Sequence, residues 1–301
     1  MQALVISGGG SKGAFAGGVA EFLINEMRYK YDIYMGTSTG SLLISHLALD
    51  KVSKIKSIFT SVDESNIFDA YPFLIREDKQ HNKHISINHL IMIKSFIERK
   101  KTFGESLNLR KLIGKTLSKD EFEVLKIQKK EICVTVSNLS LNQIEYKSIQ
   151  DASYEDFCDW IWISSNYVPF MSLVEKNGYE YADGGFGSMV PIEEAINKGA
   201  KIIDVIILET EVNERNQMPS KNVFSLLSNL HFYMTERIER QNIRIGKLAA
   251  INKGVTLNFY YTPTELVATS LIFDKKLMAK WWSMGYQYAK SRNENTNEFR
   301  I

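Results

Sequence analysis

Ser38 stands in Gly36-Thr37-Ser38-Thr39-Gly40, where an apolar segment ends and a helical one begins. A hydroxyl is a weak nucleophile until something lifts it out of the chain and takes its proton. Glycines two residues before and two after a serine leave room for a sharp strand-to-helix bend. That bend presents the Oγ at the C-terminal end of a sheet. The plainer reading of Ser38 is a helix N-cap; Gly36 and Gly40 tilt the balance toward the nucleophile.

A second motif, Gly8-Gly9-Gly10-Ser11-Lys12-Gly13, lies between the apolar run ending at Ser7 and the helical pattern starting at Ala14. Without side chains in the way, backbone N–H groups can turn toward a ligand, and the helix N-terminus adds partial positive charge. Such a loop can bind phosphate or stabilise an oxyanion. The spacing of Gly8, Gly10 and Gly13 also satisfies a dinucleotide fingerprint. It is no Walker loop, because no Gly-Lys-Ser/Thr follows.

The third motif is Asp183-Gly184-Gly185, a turn on its own terms and a base if it meets Ser38. The histidines do not offer a better base. Only His231 follows Asp183, the chain order an α/β-hydrolase triad needs, and it falls in a stripe with Leu227, Leu230, Met234 and Ile238 that reads as core or boundary. His81, His84 and His89 lack acid-lined metal spacing. A direct Ser38–Asp183 dyad is left, with desolvation needed to raise the basicity of the carboxylate.

Around these motifs the pattern is α/β. Ala3 to Ser7 is a strand, Ala14 to Met27 a helix, Asp32 to Met35 a strand and Ser41 to Leu49 a helix, the alternation of a parallel sheet covered by helices. Val52 to Lys130 reads as mostly helical. Strands are expected at Ile132 to Val136, Ile144 to Ile149, Tyr179 to Ala182, Ile202 to Leu208 and Thr256 to Tyr261. Helices are expected at Tyr154 to Ser164, Ile192 to Lys198, Phe224 to Leu248 and Lys275 to Lys290.

The ordered set Gly8 to Gly13, Gly36 to Gly40 and Asp183 to Gly185 resembles that of the patatin-like phospholipases. Ser164-Ser165 with Pro169, and Pro191 to Ala200, add to the likeness. The resemblance implies a three-layer α/β/α sandwich with a mostly parallel central sheet. It implies one domain over residues 1–301, with a helical insertion at about 62–130, and hydrolysis of phospholipid or lysophospholipid acyl esters. By position, Ser38 is then the nucleophile and Asp183 its proton acceptor. The amides of Gly8, Gly9, Gly10, Ser11, Lys12 and Gly13 would form the oxyanion hole, while Gly36, Gly40, Gly184 and Gly185 support the turns. Many relatives carry Arg where Lys12 stands.

Composition bounds the rest. In 301 residues, 37 Lys and Arg against 35 Asp and Glu give a net charge of +2, which offers no global field for nucleic acid. Two cysteines, Cys133 and Cys158, read as buried thiols in a reducing compartment rather than a disulfide framework. No apolar run approaches the roughly 18 residues of a membrane span, and no targeting pattern precedes the first strand. A cytoplasmic chain is expected, peripheral at membranes at most, with no metal or cofactor required by the chemistry and no nucleic-acid partner.

Ile85 to Ile97, followed by Arg99, Lys100 and Lys101, reads first as a core helix with a solvated basic end. The alternative is an interfacial helix making transient membrane contact. Trp160, Trp162, Trp281 and Trp282 read as packing. Three rivals to a lipid hydrolase stand: a serine esterase or peptidase acting on non-lipid substrates, a nucleotide-binding protein using the glycine loop with Asp32 as ribose ligand, and a non-catalytic member of the same fold.

Overall fold

The computed structural model describes residues 1–77, 83–212, 219–220, 223–266 and 270–298. In the first strand, β1 (Gln2–Ile6), Ala3 and Val5 face one side of the sheet and Leu4 and Ile6 the other, and all four are wholly buried. A strand apolar on both faces needs helices on both, and that requirement produces the three-layer α/β/α arrangement.

β2 (Ile33–Thr37), β5 (Glu131–Asn138), β9 (Ile202–Ile207) and β10 (Thr256–Tyr261) run parallel to β1 in the order β10-β9-β1-β2-β5. β6 (Gln143–Ser148), β7 (Val174–Lys176) and β8 (Tyr179–Asp183) complete the sheet beside β5 with antiparallel pairings. One face packs on α1 (Gly13–Glu21), α2 (Thr39–Ala48), α3 (Val52–Phe59), α6 (Leu107–Thr116), α7 (Lys119–Ile127), α8 (Tyr154–Ser164) and α11 (Lys275–Glu298). The other packs on α9 (Ile192–Asn197) and on Ile243, Ala249 and Ala250 of α10 (Val223–Lys253). The four tryptophans are packing residues, none more than 9% exposed. Both thiols are buried and free of disulfides.

Four expectations need correction. The stretch from 52 to 130, expected to be mostly helical, holds an antiparallel hairpin, β3 (Phe73–Glu77) with β4 (Lys83–Ile87), besides α4 (Glu64–Ile67), α5 (His89–Ile97) and its other helices. Its short alternating segments carry no strong strand signal, and pairing between them decides. The core reading of the helix near Ile97 also fails, because only Met92 and Ser95 of α5 are buried while Leu90, Ile93, Phe96 and Ile97 are 56–79% exposed. The stripe around His231 is likewise open, with Leu227, Leu230 and Met234 about half exposed or more. Finally, the expected helix over 14–27 is α1 followed by a single π-helical turn at Phe22–Glu26. His81 lies outside the described residues.

The last helix is part of the core. Trp282 is fully buried against Gly17 of α1, and its Nε1 donates to Glu21 Oε2 at 2.5 Å. Trp282→Ala removes a large side chain from the core and one of the donors to Glu21, leaving it Lys56. Urea unfolding is expected to show a loss of about 3–5 kcal/mol.

Candidate active site

The register of the sheet brings the three glycine motifs together. β2 lies along β5 until Thr37 meets Thr135. From there β8 pairs with the rest of β5, with Asp183 opposite Val136. β6 already occupies β5 over Cys133 to Asn138, so β8 must continue the edge that β2 leaves. The residue after Thr37 therefore meets the last residue of β8 end to end. Those residues are Ser38 and Asp183, and the Ser38 hydroxyl lies near enough to the Asp183 carboxylate to favour its ionised form.

Ser38 is held in a conformation that L-residues seldom adopt, φ 53° and ψ −121°. Strain of this kind persists only where surrounding contacts over-determine it, and here three serines do so. Ser38 N–H donates to Ser164 Oγ at 3.0 Å, while Ser165 Oγ and Ser41 Oγ donate to Ser38 C=O at 3.1 and 2.5 Å. Thr37 Oγ1 donates to Ser188 C=O at 2.8 Å and ties the end of β2 to the turn after Asp183. A Cβ on Gly36 would come 2.6 Å from the backbone of Gly40 and Ser41, so the bend closes only without one.

Asp183 is 2% exposed, and no cation pairs with it among the described residues. Burial pushes its carboxyl up to about 7, against the nearby Ser38 hydroxyl and the 2.7 Å hydrogen bond from Gly185 N–H. A carboxylate at that value is a far better proton acceptor near neutral pH than an exposed one.

The glycine loop sits directly beside the pair, since a Cβ on Gly8 would lie 3.1 Å from Ser38 Cβ. Its amides are not equivalent. Gly8 N–H donates to Met189 C=O, Ser11 N–H to Ser270 C=O and Lys12 N–H to Gly9 C=O. Among the described residues, the N–H groups of Gly9 and Gly10 carry no hydrogen bond. Gly10, at φ 54°, also has Ser270 C=O where a Cβ would be, which no other residue tolerates. Lys12 is buried and ion-paired with Glu209, a partner that sequence reading missed, just past the end of β9.

A cavity of about 170 Å³ opens on Ser38, Asp183, Gly9 and Gly10. That is far more than the ~10–15 Å³ needed by one water, and its walls are mostly apolar, including Leu42, Ile55, Ile58, Phe59, Leu112 and Ile113. Phe232 and Thr235 of α10 line it as well. His231 instead stands in an aromatic cage, 4.7 Å from the ring of Tyr167 and 5.3 Å from that of Phe186, with burial lowering its pKa and its Nε2 unpartnered. Asp32 is at the wrong end of the strands for a ribose: it accepts from Gln2 N–H, at the start of β1. Among the described residues no group of three His, Cys, Asp or Glu side chains could hold a metal ion, and no helix is long and apolar enough to cross a membrane.

Comparison with known proteins bears on the same residues. No curated sequence matches the chain. The crystal structure of VipD from Legionella pneumophila is similar over 96% of this chain and 67% of that one, at 13% identity and a TM-score of 0.46. The sequence profile of the Patatin family, described as patatin-like phospholipase, matches residues 4–196, a span that holds the glycine loop, Ser38 and Asp183. With nearly two thirds of its length inside that match, the chain belongs to the patatin-like phospholipase family.

Proposed function

We propose that this protein hydrolyses fatty acyl esters of phospholipids or lysophospholipids through a Ser38–Asp183 dyad and an acyl-enzyme. The observation that carries this reading is a strained serine beside a buried carboxylate with no cation partner among the described residues, next to two free backbone amides and a mostly apolar cavity. As Ser38 Oγ attacks the ester carbonyl carbon, Asp183 takes its proton. The N–H groups of Gly9 and Gly10 receive the negative charge that forms on the carbonyl oxygen. The tetrahedral species expels the glycerol-side alcohol, which leaves with the proton from Asp183. Water, deprotonated by Asp183, then releases the fatty acid and restores Ser38. The apolar walls favour an acyl chain over the substrates of a non-lipid esterase.

Residues 1–301 act as one acyl-hydrolase domain on this reading, because β10 extends the sheet beside β9 and Trp282 of α11 fills the core. Transient contact with a membrane surface and cytoplasmic residence belong to it too, and two buried thiols free of disulfides suit that compartment. The exposed apolar residues of α5 lead into Arg99, Lys100 and Lys101. On α10, Phe232 and Thr235 face the cavity, while Leu226, Leu227, Leu230 and Met234 stay exposed. α10 packs on the segment 167–170 through His231, against the rings of Tyr167 and Phe170, while Phe96 of α5 packs on Phe103, whose N–H donates to Pro169 C=O. Apolar side chains of this kind, with nearby cations, suit an anionic lipid interface.

Ser38→Ala and Asp183→Asn are each expected to lower phospholipid hydrolysis about 10³-fold or more, while His231→Ala retains over half; equal damage from all three would sink the dyad. Since Asp183 must be ionised to act, kcat/KM should rise with pH through about 7 and then level off. The same titration sets stability. The folded pKa of Asp183 lies above the unfolded value, so burying it costs nothing below pH 4, progressively more up to 7, and a constant amount beyond. Asp183→Asn should thus stabilise the fold by roughly 2–4 kcal/mol at pH 8 and not at pH 4, measured by urea unfolding. For the surface, Leu90→Asp with Phe96→Asp should reduce flotation with phosphatidylglycerol vesicles about tenfold without changing the melting temperature.

A further inference from the structure

The cavity is an acyl channel on the hydrolase reading, and its wall carries a polar feature whose interpretation rests on that reading. Thr39, Leu42, Ser45 and His46 recur along one face of α2, so the helix that begins at Ser38 forms a wall of the channel. Ile55 and Ile58 of α3 and Leu112, Ile113 and Thr116 of α6 line it too. Most of these residues are apolar. The exceptions far from Ser38 are Ser45, His46 and Thr116, and they differ in kind. Thr116 Oγ1 donates to Ile113 C=O at 3.1 Å. Ser45 and His46 are 2% and 3% exposed, and neither Ser45 Oγ nor His46 Nδ1 has a hydrogen-bond partner.

Two adjacent unsatisfied polar groups in a channel wall weaken the fold and do nothing for a plain hydrocarbon chain. The nearest charged groups do not meet the need, because Lys51 and Lys54 are both engaged with Glu121. Burial, and then Lys54, lower the His46 pKa to about 4, so the imidazole is neutral at pH 7. A neutral imidazole can donate from one nitrogen and accept at the other, which suits a hydroxyl or a ketone better than a carboxylate. At the rise of an α-helix, Ser45 and His46 stand about 10–12 Å beyond Ser38.

We propose that the preferred acyl chain carries an uncharged oxygen function, a hydroxyl or keto group, roughly eight to ten carbons from the ester carbonyl, and that Ser45 and His46 hydrogen-bond it. The two residues then set specificity and take no part in the bond-making steps.

The test compares kcat/KM of the purified full chain for p-nitrophenyl stearate, its 10-hydroxy analogue and its 2-hydroxy analogue in mixed micelles. The 10-hydroxy ester is expected to be preferred over the plain one about five- to tenfold, the 2-hydroxy ester not at all. His46→Leu should bring the 10-hydroxy preference to about one, Ser45→Ala should reduce it, and His46→Gln should keep part of it. His46→Leu should melt at or above the wild-type temperature, because an unsatisfied buried group is gone. Equal rates for the plain and 10-hydroxy esters would overturn the proposal. So would a preference shared by the 2-hydroxy ester, or one surviving both His46→Leu and Ser45→Ala, as an ordered water on the two side chains would produce. Cleavage of none of the esters would instead overturn the hydrolase reading, and the chain preference with it.

Discussion

The proposed site depends on one buried contact, between the hydroxyl of Ser38 and a carboxylate with no cation to offset its charge among the described residues. Taking Asp183 out of water is costly, and the cost falls on its ionised form. A salt bridge would remove that penalty and the basicity with it. The surroundings satisfy Asp183 only with weak, neutral donors: the amide of Gly185 and Ser38 itself. Lys12, the buried cation of the adjoining loop, is directed to Glu209 instead. The fold thus keeps a positive charge in the adjoining loop but paired away from the proposed base.

Holding Ser38 against Asp183 requires a backbone that would not adopt its shape alone. The left-handed φ of Ser38 is fixed by Ser164 on its N–H and by Ser41 and Ser165 on its carbonyl. Two of the three come from the end of α8, so this helix positions the proposed nucleophile, which lies outside it. Asp183 is tied to the same place, since its own N–H donates to Asn166 C=O. The short segment 164–166 therefore grips both members of the pair. It gives a physical meaning to the Ser164-Ser165 likeness, which in the sequence had no role attached.

What the sequence made legible was local. Strand-turn-helix patterns at Gly8–Gly13 and Gly36–Gly40 signal tight bends, and those bends are where the structure has them, because glycine spacing and strand periodicity depend on near neighbours alone. Long-range pairing was harder to read. The meeting of Ser38 and Asp183 depends on β2 and β8 sharing one edge of β5, which no residue of either strand announces. The hairpin of β3 and β4 escaped for the same reason. The exposure of α5 is a different failure: a run of Ile, Leu and Phe carries the same composition whether it faces a core or a lipid surface. Glu209, the partner of Lys12, left no signal beyond being an acid after a strand.

Chemistry and specificity accordingly sit on different parts of the chain. The proposed reacting groups are at strand ends and on the turns after them, where backbone constraints are strict and few residue types fit. α2, α3 and α6 contribute apolar side chains to the walls of the cavity, among them Leu42, Ile55, Ile58, Leu112 and Ile113, none of which hydrogen-bonds Ser38. α10 contributes both to the cavity, through Phe232 and Thr235, and to the exposed apolar surface, through Leu226, Leu230 and Met234. The same helix thus carries exposed apolar side chains outward and lines the cavity inward. The arrangement answers the physical problem of bringing a water-insoluble substrate to a buried polar pair, since an acyl chain can pass from one apolar phase to another along protein that is apolar for most of the way.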